Sequence, residues 1–202
     1  MLFRSVWLPI ISTGTQMIGN HTAGAGEAGL YIGDSPQANA TLIGNDTSGS
    51  LFGIFQRDAE HTTVTGNRTH DNCVGMIVLA DAPGPSGNAR IQGNIVKNNN
   101  KKCDLPADEG GGTLGGIGLA LSGANDVFIH GNIVTGNTAP AGIEQHAGIG
   151  VTSGDAGTPP ANNTVSANVV RNNAPDLFWD GTGPNNTFAH NVCDTSEPSG
   201  LC

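Results

Sequence analysis

The sequence predicts an all-β solenoid of about seven coils, and three observations carry that expectation. First, a short phrase recurs along nearly the whole chain, clearest as Phe128-Ile129-His130-Gly131-Asn132-Ile133-Val134-Thr135-Gly136-Asn137. Its leading Asn falls at Asn20, Asn45, Asn67, Asn94, Asn132, Asn168 and Asn191, at spacings of 25, 22, 27, 38, 36 and 23. Second, the position three before each of these is apolar: Met17, Leu42, Val64, Ile91, Ile129, Val165 and Phe188. Third, a Gly-led alternating phrase separates the Asn phrases, as in Gly29-Leu30-Tyr31-Ile32, Gly53-Ile54-Phe55-Gln56 and Gly75-Met76-Ile77-Val78.

Each element of a coil has a local reason. Apolar residues before the Asn and β-branched ones after it, such as Thr47, Thr69, Val96, Val134 and Val170, are strand formers on either side of a bend. Gly-Asn suits the bend because both tolerate left-handed backbone angles. A second Asn follows five residues on, at Asn72, Asn99, Asn137 and Asn173. Stacked coils would let equivalent Asn side chains bond to one another in a ladder. The Gly phrase continues at Gly116-Ile117-Gly118-Leu119, Gly148-Ile149-Gly150-Val151 and Asp176-Leu177-Phe178-Trp179, giving a third strand. No such strand buries its apolar side alone, so neighbouring coils must stack.

This pattern resembles the right-handed parallel β-helix family, the pectin-lyase-like solenoids. It is most similar to secreted bacterial β-helix repeat proteins that share a repeat with the periplasmic protein NosD. The resemblance covers about Val6 to Cys202 and implies a single-stranded right-handed parallel β-helix. It implies little about activity, because the fold hosts lyases, hydrolases, epimerases, adhesins and proteins without assigned chemistry.

The chain of 202 residues is read as one domain, residues 1–202, with long inserts at 98–116 and 138–160. Net charge is −9 with eight Lys and Arg, so the basic footprint of a nucleic-acid binder is missing. Lys97, Lys101 and Lys102 sit together, but Asp104, Asp108 and Glu109 follow at once. The apolar start, broken by Arg4 and Pro9, is too short to span a membrane and has no signal cleavage site. Val6-Trp7-Leu8 stands where a preceding coil's strand belongs, so upstream coils and a secretion signal are expected to be missing. Leu2-Phe3-Arg4-Ser5 is also the translation of a common sequencing adapter. The ending, from Asp176 to Cys202, resembles the usual finish of the secreted members and reads as intact.

Four cysteines occur without a C-x-x-C pair or a Cys/His spacing suited to zinc. Cys73 and Cys103 follow the second-Asn turns of adjacent coils, and Cys193 and Cys202 close the C-terminal end. Both pairs are expected to be disulfides, which places the protein outside the cytoplasm.

For chemistry, outward positions on the sheets matter. If Leu30, Ile54, Met76, Ile117, Ile149 and Leu177 point inward, the outward column is Tyr31, Phe55, Ile77, Gly118, Gly150 and Phe178. The next outward column is Gly33, Arg57, Leu79, Ala120, Thr152 and Asp180. This face has aromatics but no stacked carboxylates, whereas glycoside hydrolysis needs two or three within a few ångströms. Tyr31 and Phe55 are the candidate binding residues, placed to stack on sugar rings. Asp34, Asp58 and Asp81 end their strands and read either as an acid row or as turn formers. The one acid/base grouping the repeat gathers is Glu144, His146 and Asp155, with Asp108 and Glu109 on the neighbouring insert. His130 stands alone on its face, and His21, His61, His70 and His190 show no ligand spacing. No metal site or cofactor is expected. Six Asn-x-Thr triplets, at Asn20, Asn39, Asn45, Asn67, Asn162 and Asn185, follow from the repeat and read as coincidence.

The functional expectation is a secreted β-helix that binds glycan or serves as a scaffold, with a polysaccharide as partner and without catalysis. The alternative is a polysaccharide lyase, hydrolase or epimerase using Glu144, His146, Asp155, Asp108 and Glu109 between the two long coils. A role in metal-centre maturation rests on the NosD-like repeat alone.

Overall fold

A computed structural model describes residues 12–81, 85–106, 111–143, 146–154 and 157–202. The expectation about Val6-Trp7-Leu8 therefore lies outside the described residues. Among those described there is no helix, and the strands stack coil on coil in parallel sheets.

One sheet carries the residues before each Asn, with Met17, Leu42, Val64, Ile91, Ile129, Val165 and Phe188 in one register column. A second carries the residues after it, from His21–Ala23 to Val169–Arg171. The Gly phrase forms the third face, from Ala28–Ser35 to Leu177–Trp179, and Ser196–Glu197 pairs onto its last strand. One continuous strand, Phe52–Thr65, serves both the first and third faces. It turns the corner where Asp58 and His61 take left-handed angles of 46° and 61°.

Two Asn ladders run down the coils. In the first, the Asn45 amide donates to Asn67 at 2.8 Å and the Asn94 amide to Asn132 at 2.9 Å. Asn132 donates to Asn168 at 2.9 Å, and Asn168 donates to Asn191 at 3.0 Å. Each main-chain N–H along the ladder donates to the same oxygen, as from Asn132 to Asn168. The second ladder runs Asn72, Asn99, Asn137 and Asn173, and Asp176 terminates it. A carboxylate suits that place because the last rung needs only to accept: Asp176 Oδ1 takes Asn173, and Oδ2 takes the Asp194 and Thr195 N–H groups. All of these Asn but the half-buried Asn173 are buried, so the ladders satisfy polar groups that the interior would otherwise penalise. Asn45 and Asn67 of the Asn-x-Thr triplets are therefore sealed inside, while Asn39, Asn162 and Asn185 lie exposed at a corner.

One register differs from the sequence expectation. Leu119, not Ile117, sits in the inward column with Met76 and Ile149. Ala120 therefore takes the place expected for Gly118, and Ser122 that expected for Ala120. The cause is a column of close backbone approach. A Cβ at Gly53, Gly75 or Gly118 would come within 2.4–2.5 Å of the next coil's carbonyl oxygen. Gly118 rather than Gly116 must occupy that column. Ile117 then turns outward, where it packs against a second apolar cluster.

That outer cluster is Leu51, Phe52, Phe55, Cys73 and Val74. A hairpin of the first insert, Cys103–Asp104 paired with Thr113–Leu114, brings Cys103, Leu105 and Leu114 onto it. The Cys73–Cys103 disulfide pins the hairpin, and Cys193–Cys202 forms as well, with Cα separations of 6.0 and 5.4 Å.

Candidate functional site

Tyr31 projects outward from its strand because Leu30 and Ile32 occupy the buried positions on either side. Its ring is laid along the strand over Gly33: a Cβ there would lie 2.0 Å from the Tyr31 hydroxyl. Only glycine leaves that space. The ring stays 38% exposed, and its hydroxyl donates to Asp34 Oδ2 at 3.4 Å. Burial of the ring, with Asp34 beside it, pushes the phenol up to about 12, so it is a neutral donor at physiological pH.

Phe55 is the register partner of Tyr31 on the next coil, with ring centroids 5.3 Å apart and planes tilted by 60°. The expectation that Phe55 offers a binding face is corrected here. Phe55 does point outward, but it is 4% exposed and belongs to the cluster under the disulfide-pinned hairpin. It serves as a wall beside Tyr31 rather than as a platform.

The three strand-ending acids gather at the same edge. Asp34 and Asp58 adopt left-handed angles of 53° and 46°, the turn role their residue type suits. They also organise charge. Asp58 Oδ1 accepts the Asp81 N–H at 2.8 Å, and the Asp81 carboxylate accepts from Arg57 at 2.6 Å. The edge therefore presents Tyr31, Asp34 and the Arg57–Asp81 pair.

Asp58 is 5% exposed, and burial raises it to about 6, reinforced by Asp81 and Asp34 and opposed by the Asp81 N–H and by Arg57. The sign follows from linkage. A carboxyl raised above its unfolded value near 3.8 stabilises most when protonated, below about pH 4, and that contribution is lost as pH rises through about 6. Asp58→Asn keeps the acceptor and the left-handed angle without the charge. It is expected to raise stability by roughly 1–3 kcal/mol at pH 7.5 and by almost nothing at pH 3.5. Urea unfolding of both proteins at the two pH values checks this, and an equal effect at both would refute the assignment.

Of the expected acid/base group, Asp108, Glu109, Glu144 and Asp155 lie outside the described residues. His146 is half-buried just before Ala147–Thr152, and its Nδ1 is buried with no hydrogen-bond partner among the described residues. Among the described residues no cluster of His, Cys, Asp and Glu could hold a metal ion. His70 is paired instead with Asp46 at 2.9 Å and Asp71 at 2.6 Å.

A second feature was not anticipated from the sequence. An open groove of about 420 Å³ lies at the corner and outer face of the first sheet. His61, Asn88 and Asp126 line it from left-handed corner positions, at 61°, 44° and 57°. Arg90 and Phe128, register partners on adjacent coils, line it from the sheet. Phe128 stacks against His130 at 5.2 Å and 12°. The signal lay four residues before the repeating Asn, at Thr41, Thr63, Arg90, Phe128, Thr164 and Thr187.

Coils joined by parallel ladders, with the strands of the two large sheets wrapped around an apolar core, define a parallel β-helix. The model of the right-handed β-helix region matches residues 10–165, and the chain belongs to that family. No curated protein and no solved structure matches it.

Proposed function

We propose that this is an extracytoplasmic β-helix that binds carbohydrate without transforming it. One observation carries the reading: the exposed Tyr31 ring laid over Gly33, flanked by Asp34 and the Arg57–Asp81 pair. A half-exposed aromatic ring offers CH–π contact to a sugar, and the surrounding acceptors and guanidinium suit its hydroxyls. The two disulfides support an oxidising compartment. Recognition fits this edge better than hydrolysis, because Asp58 is buried and Asp81 is held by Arg57. Polysaccharide cleavage through Glu144, His146, Asp155, Asp108 and Glu109 draws no support from the described geometry.

The test is calorimetric titration with cellotriose, xylotriose, mannotriose and chitotriose. At least one is expected to bind, with Tyr31→Ala weakening it about tenfold or more, in line with ~1.5 kcal/mol for a stacking contact. Equal affinity for wild type and Tyr31→Ala would remove the site, and silence across the panel would remove the function.

A further inference from the structure

We infer that the groove between His61, Asn88, Arg90, Asp126 and Phe128 is a second sugar subsite, so that one molecule engages glycan at two separate faces. This rests on the carbohydrate-binding reading and extends it. The groove lies on a different sheet from Tyr31, beyond the corner that the strand Phe52–Thr65 turns between Asp58 and His61.

The groove's side chains carry unspent polar capacity. The other three described arginines, Arg57, Arg68 and Arg171, are each paired with a carboxylate. Among the described residues Arg90 has neither an ion pair nor a side-chain hydrogen bond. The side chains of His61 and Asp126 likewise have no partner there, and Asn88 spends one donor on Glu60 at 2.9 Å. A guanidinium, a carboxylate, an imidazole and an amide thus converge on one concavity with their bonding left for solvent or ligand. Each of Arg90 and Asp126 can take two neighbouring hydroxyls, which is the chemistry of a pyranose ring.

Phe128 supplies the apolar side. His130 occupies one face of its ring, two residues along the strand. Phe128 lines the groove together with Asp126, two residues back along the same chain. Corner residues at 61°, 44° and 57° fix the groove wall in the backbone, so the site is preformed.

Two sites on different faces have a consequence a single site lacks. A long polysaccharide can be gripped twice, or two chains joined, with apparent affinity exceeding that of either site. The test uses the full chain and the tightest-binding trisaccharide of the panel. Wild type is expected to take up about two equivalents, moving the aromatic NMR signals of both Tyr31 and Phe128. Arg90→Gln and Phe128→Ala should each lower uptake to about one, with the Tyr31 signals still moving. Tyr31→Ala should leave the Phe128 response. Only proteins with both sites should aggregate the matching long polymer. One equivalent in wild type, with Phe128 silent and Tyr31 responding, overturns the second site alone. No uptake of any panel member overturns this inference and the carbohydrate reading together. Arg90→Gln lies on the surface and keeps the test valid if Phe128→Ala fails to fold.

Discussion

Asn132→Ala is expected to destabilise the protein by roughly 3–6 kcal/mol, a large share of the 5–15 kcal/mol typical of a whole domain. Asn132 is fully buried in the middle of the first ladder. Its amide donates to Asn168 Oδ1 and to the Ile91 carbonyl, both at 2.9 Å. Its oxygen accepts the N–H and the amide of Asn94, again at 2.9 Å. Alanine orphans the buried Asn94 N–H, at a cost of about 1–3 kcal/mol, and takes a bonding partner from the Asn94 amide and the Ile91 carbonyl. A methyl-lined void adds to that. Asn132→Asp should also be damaging, since a carboxylate cannot donate to Ile91 or Asn168. The reverse exchange, Asp176→Asn, should destabilise for the mirrored reason: an NH₂ would then face N–H donors at one of its two oxygen positions. Urea unfolding measures all three. Losses below about 1 kcal/mol would mean that the ladder is a consequence of coil stacking rather than a cause of it.

Removing the Cys73–Cys103 bridge should be nearly as costly. It spans 30 residues, and the loop-entropy estimate for that span is roughly 3–4 kcal/mol, against roughly 2.5–3 for Cys193–Cys202, which spans nine. The effect should also be local. The bridge holds the hairpin at Cys103–Asp104 over Phe52 and Phe55, so Cys103→Ser with Cys73→Ser should bare an apolar surface beside Tyr31. The expected result is lowered stability together with new binding of a hydrophobic dye; Cys193→Ser with Cys202→Ser should lower stability somewhat less and bring no dye binding. Unchanged stability and no dye binding would show that the hairpin holds its place without the bridge.

The coil architecture was legible because it repeats. Once per coil the chain needs an Asn for the ladder and an apolar residue for the core, and those columns stand out at Asn45, Asn67, Asn94 and Asn132. The register at Ile117 was not legible, because Gly115-Gly116-Ile117-Gly118 offers more than one glycine to the close-approach column. Only the positions of neighbouring carbonyls select Gly118. A short third rung, from Asn163 to Asn186 at 2.9 Å, escaped because it is shared by two coils alone. The disulfides followed from the places of the cysteines in the repeat. The burial of Phe55 did not, because where an insert folds back is a tertiary matter that periodicity does not encode. The groove was hidden for the opposite reason. Arg90 and Phe128 share one place in the coil, four before the repeating Asn, and His61, Asn88 and Asp126 another, six before it, but neither column carries a common chemistry.

The most direct test of the account is the Tyr31 ring itself. With its aromatic protons followed by NMR during titration with the four trisaccharides, the account expects saturable shifts with at least one of them. Those shifts should be accompanied by changes in the neighbouring Asp34 and Arg57 signals, at a midpoint that matches the calorimetric affinity. If the Tyr31 ring signals stay fixed at millimolar concentrations of every sugar, the exposed tyrosine is only a surface residue of the solenoid, and the Tyr31 site that carries the carbohydrate-binding reading is contradicted.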